Sequence, residues 1–254
     1  MLAIEQIRAL KDNYVYLLRE PASGLVGVVD PSEAPPVKEA LTRLGWKLDF
    51  ILNTHHHNDH TGGNLELKET YGAKVVGARH DAPRIAGIDI MVSEGERFAL
   101  GQEEAEVIEV PGHTSGHIAF WFAGSDALFC GDTLFTLGCG RLFEGTAPQM
   151  WKSLSKLRAL PGTALVHCGH EYTQSNARFA VTVEPNNQAL AKRSAEVDAA
   201  RAKGQSTVPA PLSLELATNP FLRADKPEVQ KALGMEGQSP EAVFAEIRGR
   251  KDKF

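Results

Sequence analysis

Residues 54–60 read Thr-His-His-His-Asn-Asp-His, so His55, His57, Asp59 and His60 bring three imidazoles and a carboxylate into six consecutive positions. Neutral imidazole suits zinc and iron, and a carboxylate beside it is a natural second-site or bridging ligand. An incidental His-rich surface loop would bind metal weakly and without ordered spacing. The density and order of these donors predict a metal site with chemistry attached to it.

Three further donors stand apart from this run. His113 follows Pro111-Gly112, Asp132 follows Gly131, and His170 follows Cys168-Gly169, each just after an apolar segment. A preceding glycine lets the backbone bend sharply and aim the next side chain into a pocket. One such pair is usually only a turn; three of them, added to the histidine run, are not. An open tetrahedral zinc takes three protein ligands and water, so seven donors are too many for one ion. Two ions sharing Asp132 as a bridge, with a shared hydroxide, divide them evenly: His55, His57 and His113 at one, Asp59, His60 and His170 at the other. His55 and His57 are two apart and face the same way in an extended segment. His56 is expected to point away from both ions and His117 to support the site from behind. His80 and His167 are expected to be packed or at the surface.

The elements that must hold these donors alternate between strand and helix through the first two thirds of the chain. Tyr14–Leu18 and Leu25–Asp30 read as paired strands around the Ser23-Gly24 turn. Val37–Leu44, with Pro35-Pro36 before it and Gly45 after it, reads as a helix, as does Asn64–Tyr71 before Gly72. Asp49–Asn53, Ala73–Gly77, Ala105–Val110, Ile118–Phe122, Ala127–Cys130 and Ala164–His167 read as strands. Four of the strand ends carry the donors, where loops vary without disturbing a core. This pattern predicts an α/β sandwich with sheets inside and helices outside. From about Glu171 the texture becomes helical: Asn187–Lys203 is a charged amphipathic stretch, Gln205–Pro211 an extended loop, and Pro240–Ile247 a terminal helix. A boundary at 170/171 therefore separates a catalytic domain, 1–170, from a small all-helical domain, 171–254.

Composition narrows the function classes. The 254 residues are 43% hydrophobic and 23% charged, as in an ordinary globular protein, with a net charge of −5 that argues against nucleic acid or an anionic membrane as partner. No apolar run approaches the roughly 20 residues needed to span a bilayer, and the N-terminus lacks a signal-peptide core. Three cysteines, Cys130, Cys139 and Cys168, are too few and odd in number for a disulfide framework. A cytoplasmic monomer acting on a small molecule is expected.

In chain order, Thr54–His60, Pro111-Gly112-His113-Thr114-Ser115-Gly116-His117, Gly131-Asp132-Thr133 and Gly169-His170-Glu171 resemble the motifs of the metallo-β-lactamase superfamily. Gly138-Cys139-Gly140-Arg141, Glu144-Gly145-Thr146, Gly169-His170-Glu171-Tyr172-Thr173 and Asn219-Pro220-Phe221-Leu222-Arg223 resemble its glyoxalase II (hydroxyacylglutathione hydrolase) family, and the resemblance spans almost the whole chain. It implies an αββα sandwich followed by a small all-helical domain that binds glutathione. The implied reaction is hydrolysis of S-D-lactoylglutathione and other S-2-hydroxyacylglutathiones to a hydroxy acid and glutathione, as in methylglyoxal detoxification. The implied cofactors are two divalent ions, zinc first and iron or manganese as alternatives. A metal-bridging hydroxide would attack the thioester, with Asp59 and Asp132 as the carboxylates closest to the chemistry. Thiolate leaves readily, since thiols ionise near 8.5, so no strong general acid is needed.

The resemblance also assigns the substrate contacts. Arg248 and Lys251, three apart in the basic run Arg248–Lys253, match the binders of the glutathione carboxylates. Arg141 matches a basic contact and Tyr172 a tyrosine that contacts the glutathione backbone. Phe143 replaces a tyrosine of many relatives, so one hydroxyl contact should be missing. Within the superfamily, a one-iron persulfide dioxygenase would not need Asp59 and His60 complete for a second ion; a lactonase is the other alternative. A nuclease fits poorly with the acidic charge, and a non-catalytic scaffold would show broken ligand positions.

Overall fold

The computed structural model describes all 254 residues, and they divide into two compact units. The first comprises Met1–Glu109 and Ser115–Gly131, the second Val110–Thr114 and Asp132–Phe254. By contacts, residues 132–170 cluster with the helical region, because the helix over Ala147–Leu157 packs against the C-terminal one. No helix is long and apolar enough to cross a membrane.

In the first unit, strands β1 (Ala3–Ala9), β2 (Asn13–Arg19) and β3 (Val26–Val29) pair antiparallel. Helix α1 (Ala34–Leu44) then crosses to β4 (Phe50–Leu52). The one-turn α2 (Asn58–Thr61) and α3 (Asn64–Tyr71) lead to β5 (Lys74–Ala78) and β6 (Ile88–Val92). Strands β3 to β6 are parallel and complete a sheet ordered β1 to β6. The remaining strands are β7 (Arg97–Leu100), β8 (Glu103–Glu109), β9 (Ile118–Phe122) and β10 (Ala127–Gly131), antiparallel neighbours in the order β10-β9-β8-β7.

Strand β2 is buried on both faces, and its period of two separates its neighbours. Val15 and Leu17 pack with Val28, Ile51 and Val75 beneath Val37, Leu41 and Leu67 of the helices. Tyr16 points the other way, its ring edge-on to Phe129 of β10 at 5.4 Å, and Phe50 meets Phe98 of β7 at 5.2 Å. Two sheets therefore face each other, with helices over the outer face of the first.

The sequence pattern does not predict the edge strands β1 or β7: Glu5, Gln6 and Arg8 interrupt the apolar alternation of β1, and β7 turns only Phe98 and Leu100 inward. Gly45 and Gly72 close α1 and α3 in the left-handed conformation, at φ 66° and 72°, where expected.

The second unit opens with a hairpin of β11 (Leu134–Phe135) and β12 (Gly138–Cys139), followed by α4 (Ala147–Leu157) and β13 (Leu165–Cys168). Then come α5 (Thr173–Val183), α6 (Gln188–Ala202), β14 (Ala210–Pro211), α7 (Leu212–Thr218), α8 (Pro227–Leu233) and α9 (Pro240–Asp252). The C-terminal part is thus not strictly all-helical: β14 pairs antiparallel with β13. Helix α4 starts in a capping box between Thr146 and Gln149. Helix α9, capped by Ser239, runs past the expected Ile247 to Asp252, which places Arg248 and Lys251 on one face of a helix rather than in a loose tail.

Candidate metal centre

The expected donors fall into two sets, one in each unit. In the first, parallel strand β4 delivers the chain to Asn53 and Thr54, and the histidine run follows. Asn53 and Asn64 exchange amide hydrogen bonds, and Asn53 Nδ2 also donates to His60 O at 3.1 Å, tying α2 to the strand end. His55 and His60 are buried, while His57 and Asp59 are half-buried. His55 Nε2 and His57 Nδ1 stand 3.1 Å apart, and His60 Nε2 lies 3.7 Å from Asp59 Oδ2. Asn13 Nδ2 steadies Asp59 by donating to its carbonyl at 3.0 Å and to Oδ2 at 3.2 Å.

Behind these donors sits Asp30, which the sequence pattern does not single out. Its Oδ2 is 3.0 Å from His60 Nδ1 and accepts from Thr54 Oγ1 at 2.6 Å, while Oδ1 accepts from Thr54 N at 2.8 Å. Asp30, His55 and His60 bring donor atoms close enough to suggest a metal group of their own. Both carboxylate oxygens are already occupied, so Asp30 orients His60 instead of ligating. By accepting from Nδ1 it leaves the lone pair on Nε2, the nitrogen turned to Asp59. The only sequence signal is an aspartate closing an apolar strand.

The neighbouring histidines behave as expected. His117 is buried, with Nδ1 3.1 Å from Ile118 O and its ring stacked on His55 at 4.5 Å. His56 Nδ1 is 3.0 Å from buried Asp81, which also pairs with Arg84. His80 is exposed. Burial holds His167 neutral by pushing its pKa down to about 4, with Nδ1 on Leu165 O.

In the second unit, Asp132 Oδ2 lies between two imidazoles, 3.5 Å from His113 Nε2 and 3.3 Å from His170 Nε2. His113 Nδ1 is fixed by Arg141 O at 2.9 Å, and the His170 ring stacks on Tyr172 at 4.7 Å. Two glycines permit this geometry. Gly131 takes φ 47° where a Cβ would come within 2.2 Å of Thr54 Oγ1, and a Cβ on Gly140 would lie 1.9 Å from Asp132 O. Gly169, expected to bend in the same way, has no positive φ.

Ligand atoms at 2.0–2.1 Å from a tetrahedral zinc stand about 3.3 Å from one another. The four donor separations within the units, 3.1 and 3.7 Å in the first and 3.5 and 3.3 Å in the second, bracket that value. The donor set is also the nitrogen and carboxylate mixture that divalent zinc, iron or manganese accepts.

The expected substrate contacts all lie in the second unit. Arg141 and Phe143 are exposed, with the Phe143 ring 5.1 Å from that of His113, and Tyr172 is 38% exposed. Arg248 is more enclosed than a surface cation: Nη1 donates to Cys139 O at 3.0 Å, Nη2 pairs with Asp252, and Nε has no hydrogen-bond partner. Lys251 Nζ donates to Ser175 O at 3.2 Å and lies over the rings of Phe179 and Phe254. Burial, then the charges of Arg248 and Arg141, pull its pKa down to about 8. All three cysteines are buried, and burial pushes the thiols of Cys139 and Cys168 up to about 11 and about 12. Neither serves as a nucleophile.

Two family models match the chain: the metallo-beta-lactamase superfamily over residues 10–170 and the hydroxyacylglutathione hydrolase C-terminus over 171–254. The hydroxyacylglutathione hydrolase of Methylococcus capsulatus is 61% identical, over 100% of this chain and 99% of its own length. That of Rhodospirillum rubrum is 60% identical with the same coverage. Among solved structures, ETHE1 from Myxococcus xanthus aligns with a TM-score of 0.68 at 24% identity, over 98% of both chains. The B3 metallo-beta-lactamase BLEG-1 aligns at 0.66 and 20% identity, over 87% of this chain and 99% of its own. These two likenesses establish the fold. The chain belongs to the hydroxyacylglutathione hydrolase family, with the αββα sandwich of the metallo-β-lactamase superfamily and the C-terminal helical domain of its own family.

Proposed function

We propose that this chain hydrolyses S-2-hydroxyacylglutathiones, S-D-lactoylglutathione above all, to the hydroxy acid and glutathione. The observation that supports the metal chemistry is Asp132 Oδ2 standing 3.5 Å from His113 Nε2 and 3.3 Å from His170 Nε2, a placement from which it could share an ion with either imidazole. His55, His57 and His113 would hold one ion and Asp59, His60 and His170 the other, with Asp132 shared. Bound there, the cations would polarise the thioester carbonyl and ionise water near neutral pH. We take zinc as the resident ion, with iron or manganese also compatible with the donors, and the enzyme as a cytoplasmic monomer that removes the glutathione adducts of methylglyoxal.

The chain's own residues do the rest. Asn13 holds Asp59 in place, Asp30 keeps the His60 proton on Nδ1, and Arg141 O does the same for His113. Arg141, Lys251 and the remaining Nε donor of Arg248 would take the glutathione carboxylates, and the Tyr172 hydroxyl the peptide backbone. The departing thiolate needs no proton from the protein. The test is release of glutathione from S-D-lactoylglutathione by purified protein, alongside elemental analysis. Two ions per chain with metal-dependent thioester cleavage is the expected result. Metal-loaded protein that leaves the thioester intact but turns over a lactone or a persulfide overturns it.

A further inference from the structure

Strands β11 and β12 contribute only two paired positions, Leu134 with Cys139 and Phe135 with Gly138. A ladder that short does not hold its own shape. At its tip Leu137 is fully buried and adopts φ 59°, which a leucine reaches only under constraint. Yet each of five successive residues has a backbone group fixed by a side chain from the helical region. Asn219 Nδ2 donates to Phe135 O at 3.1 Å and to Gly138 O at 3.0 Å. Asn176 Nδ2, on α5, donates to Thr136 O at 3.1 Å. Glu215 Oε2, on α7, accepts from Leu137 N at 2.8 Å, and Arg248 Nη1, on α9, donates to Cys139 O at 3.0 Å.

These clamps are themselves braced. Glu215 is fully buried, paired with Arg193 of α6, and accepts from Asn219 Nδ2 at 3.0 Å. Arg193 also donates to the Thr218 hydroxyl at 2.6 Å. Asn219 Oδ1 accepts from Phe221 N at 3.0 Å, which starts the turn of the Asn219-Pro220-Phe221 segment. The hairpin leads straight back to the metal donors. Gly140 N donates to Thr133 O at 3.2 Å, closing its base beside Asp132, and the next carbonyl, that of Arg141, is the one on His113 Nδ1.

We propose that Asn219, Glu215 and Asn176 are positioning residues for the metal site: they set the placement of Asp132 and His113 through the hairpin. This rests on the reading of those two residues as ligands. The Asn219–Arg223 motif then has a role that is neither substrate contact nor simple packing. It sets how tightly the ions are held. Loss of groups that orient ligands typically weakens metal binding by about 10- to 100-fold.

The test compares zinc affinity of the full-length chain, by competition with a chromophoric chelator, for wild type, Asn219→Ala and Val229→Ala. Val229 is a fully buried residue of α8. The expected result is a loss of about tenfold or more in zinc affinity for Asn219→Ala, with kcat falling and KM unchanged. Val229→Ala, at a matched drop in apo-protein Tm, keeps its zinc. If Asn219→Ala does not fold, Asn176→Ala, which removes only the bond to Thr136 O, makes the same comparison. Wild-type affinity in the asparagine variants, or equal loss in Val229→Ala, overturns the proposal alone. A wild-type chain that takes up no zinc overturns it together with the metal reading. Zinc binding without thioester hydrolysis overturns only the substrate, and the affinity comparison still decides this proposal.

Discussion

Asp30→Asn isolates the group behind His60 with almost no change of shape. Thr54 N can only donate, so the amide must keep its oxygen at the Oδ1 position, 2.8 Å away. That puts the amide nitrogen where Oδ2 stood, 3.0 Å from His60 Nδ1. Either two donors then face each other, or the imidazole moves its proton to Nε2 and loses the lone pair it turns toward Asp59. Both outcomes weaken His60 as a ligand, and loss of such a partner costs about 10- to 100-fold in affinity, or about 1.4 to 2.7 kcal/mol. Zinc titration of apo-protein against a chelator should show one ion weakened by that factor and the other, expected on His55, His57 and His113, nearly unchanged. Long-range proton–nitrogen spectra of the apo-protein should show His60 switching tautomer. Two ions bound with wild-type affinity and an unaltered His60 tautomer would refute the reasoning.

The ammonium form of Lys251 is the one that can bind a carboxylate, and with its pKa near 8 it is lost as pH rises. KM for the glutathione thioester should climb above pH 8, approaching about tenfold per unit, and stay flat to higher pH in Lys251→Arg; a flat wild-type profile removes Lys251 from the substrate site. His167 is held neutral down to about 4 against an ordinary 6.5, so the unfolded chain takes up that proton first and stability falls as pH drops between those values. The full effect is about 3 kcal/mol, and urea midpoints at pH 7 and 4.5 should converge in His167→Gln; a parallel loss in both proteins would count against it. In Gly140→Ala the new methyl meets the backbone oxygen of Asp132 at 1.9 Å, with no flexible side chain to yield. The loss should be on the order of 3 kcal/mol in folding with weakened metal binding, and a variant with unchanged Tm and zinc affinity would show that the loop relaxes freely.

The proposed metal donors were legible because ligation demands particular residue types, and dense or glycine-led placement marks them: His55, His57, Asp59, His60, His113, Asp132 and His170. The residues that orient them were not. Asp30 acts from a strand end far up the chain, and Glu215 and Asn219 act on a hairpin that lies long before them in sequence, so no local spacing carries the signal. Apolar strands such as Ile118–Phe122 announced themselves, whereas β1 did not, since Glu5, Gln6 and Arg8 break its apolar alternation. Helix α4 was not read from the sequence, although its Thr146–Gln149 capping box is a start signal that could have found it. Composition alone says nothing of where the basic run at the C-terminus points; α9 turns Arg248 inward, where its guanidinium lies over Phe221 and pairs with Asp252.

The burial of the cysteines bears on what the enzyme makes. Each turnover of the proposed reaction frees a thiol, and glutathione exchanges with protein sulfur through the thiolate form. An ordinary cysteine, ionising near 8.5, is a few per cent thiolate at pH 7. With burial pushing them up to about 11 and about 12, Cys139 and Cys168 are far less ionised at pH 7 than an ordinary cysteine. Cys139 lies within reach of Arg248, one of the residues expected to grip the product, so an exposed thiolate there would attack any glutathione disulfide that docked in the product's place, forming a mixed disulfide and expelling one glutathione thiolate. Keeping it protonated and enclosed closes that exchange.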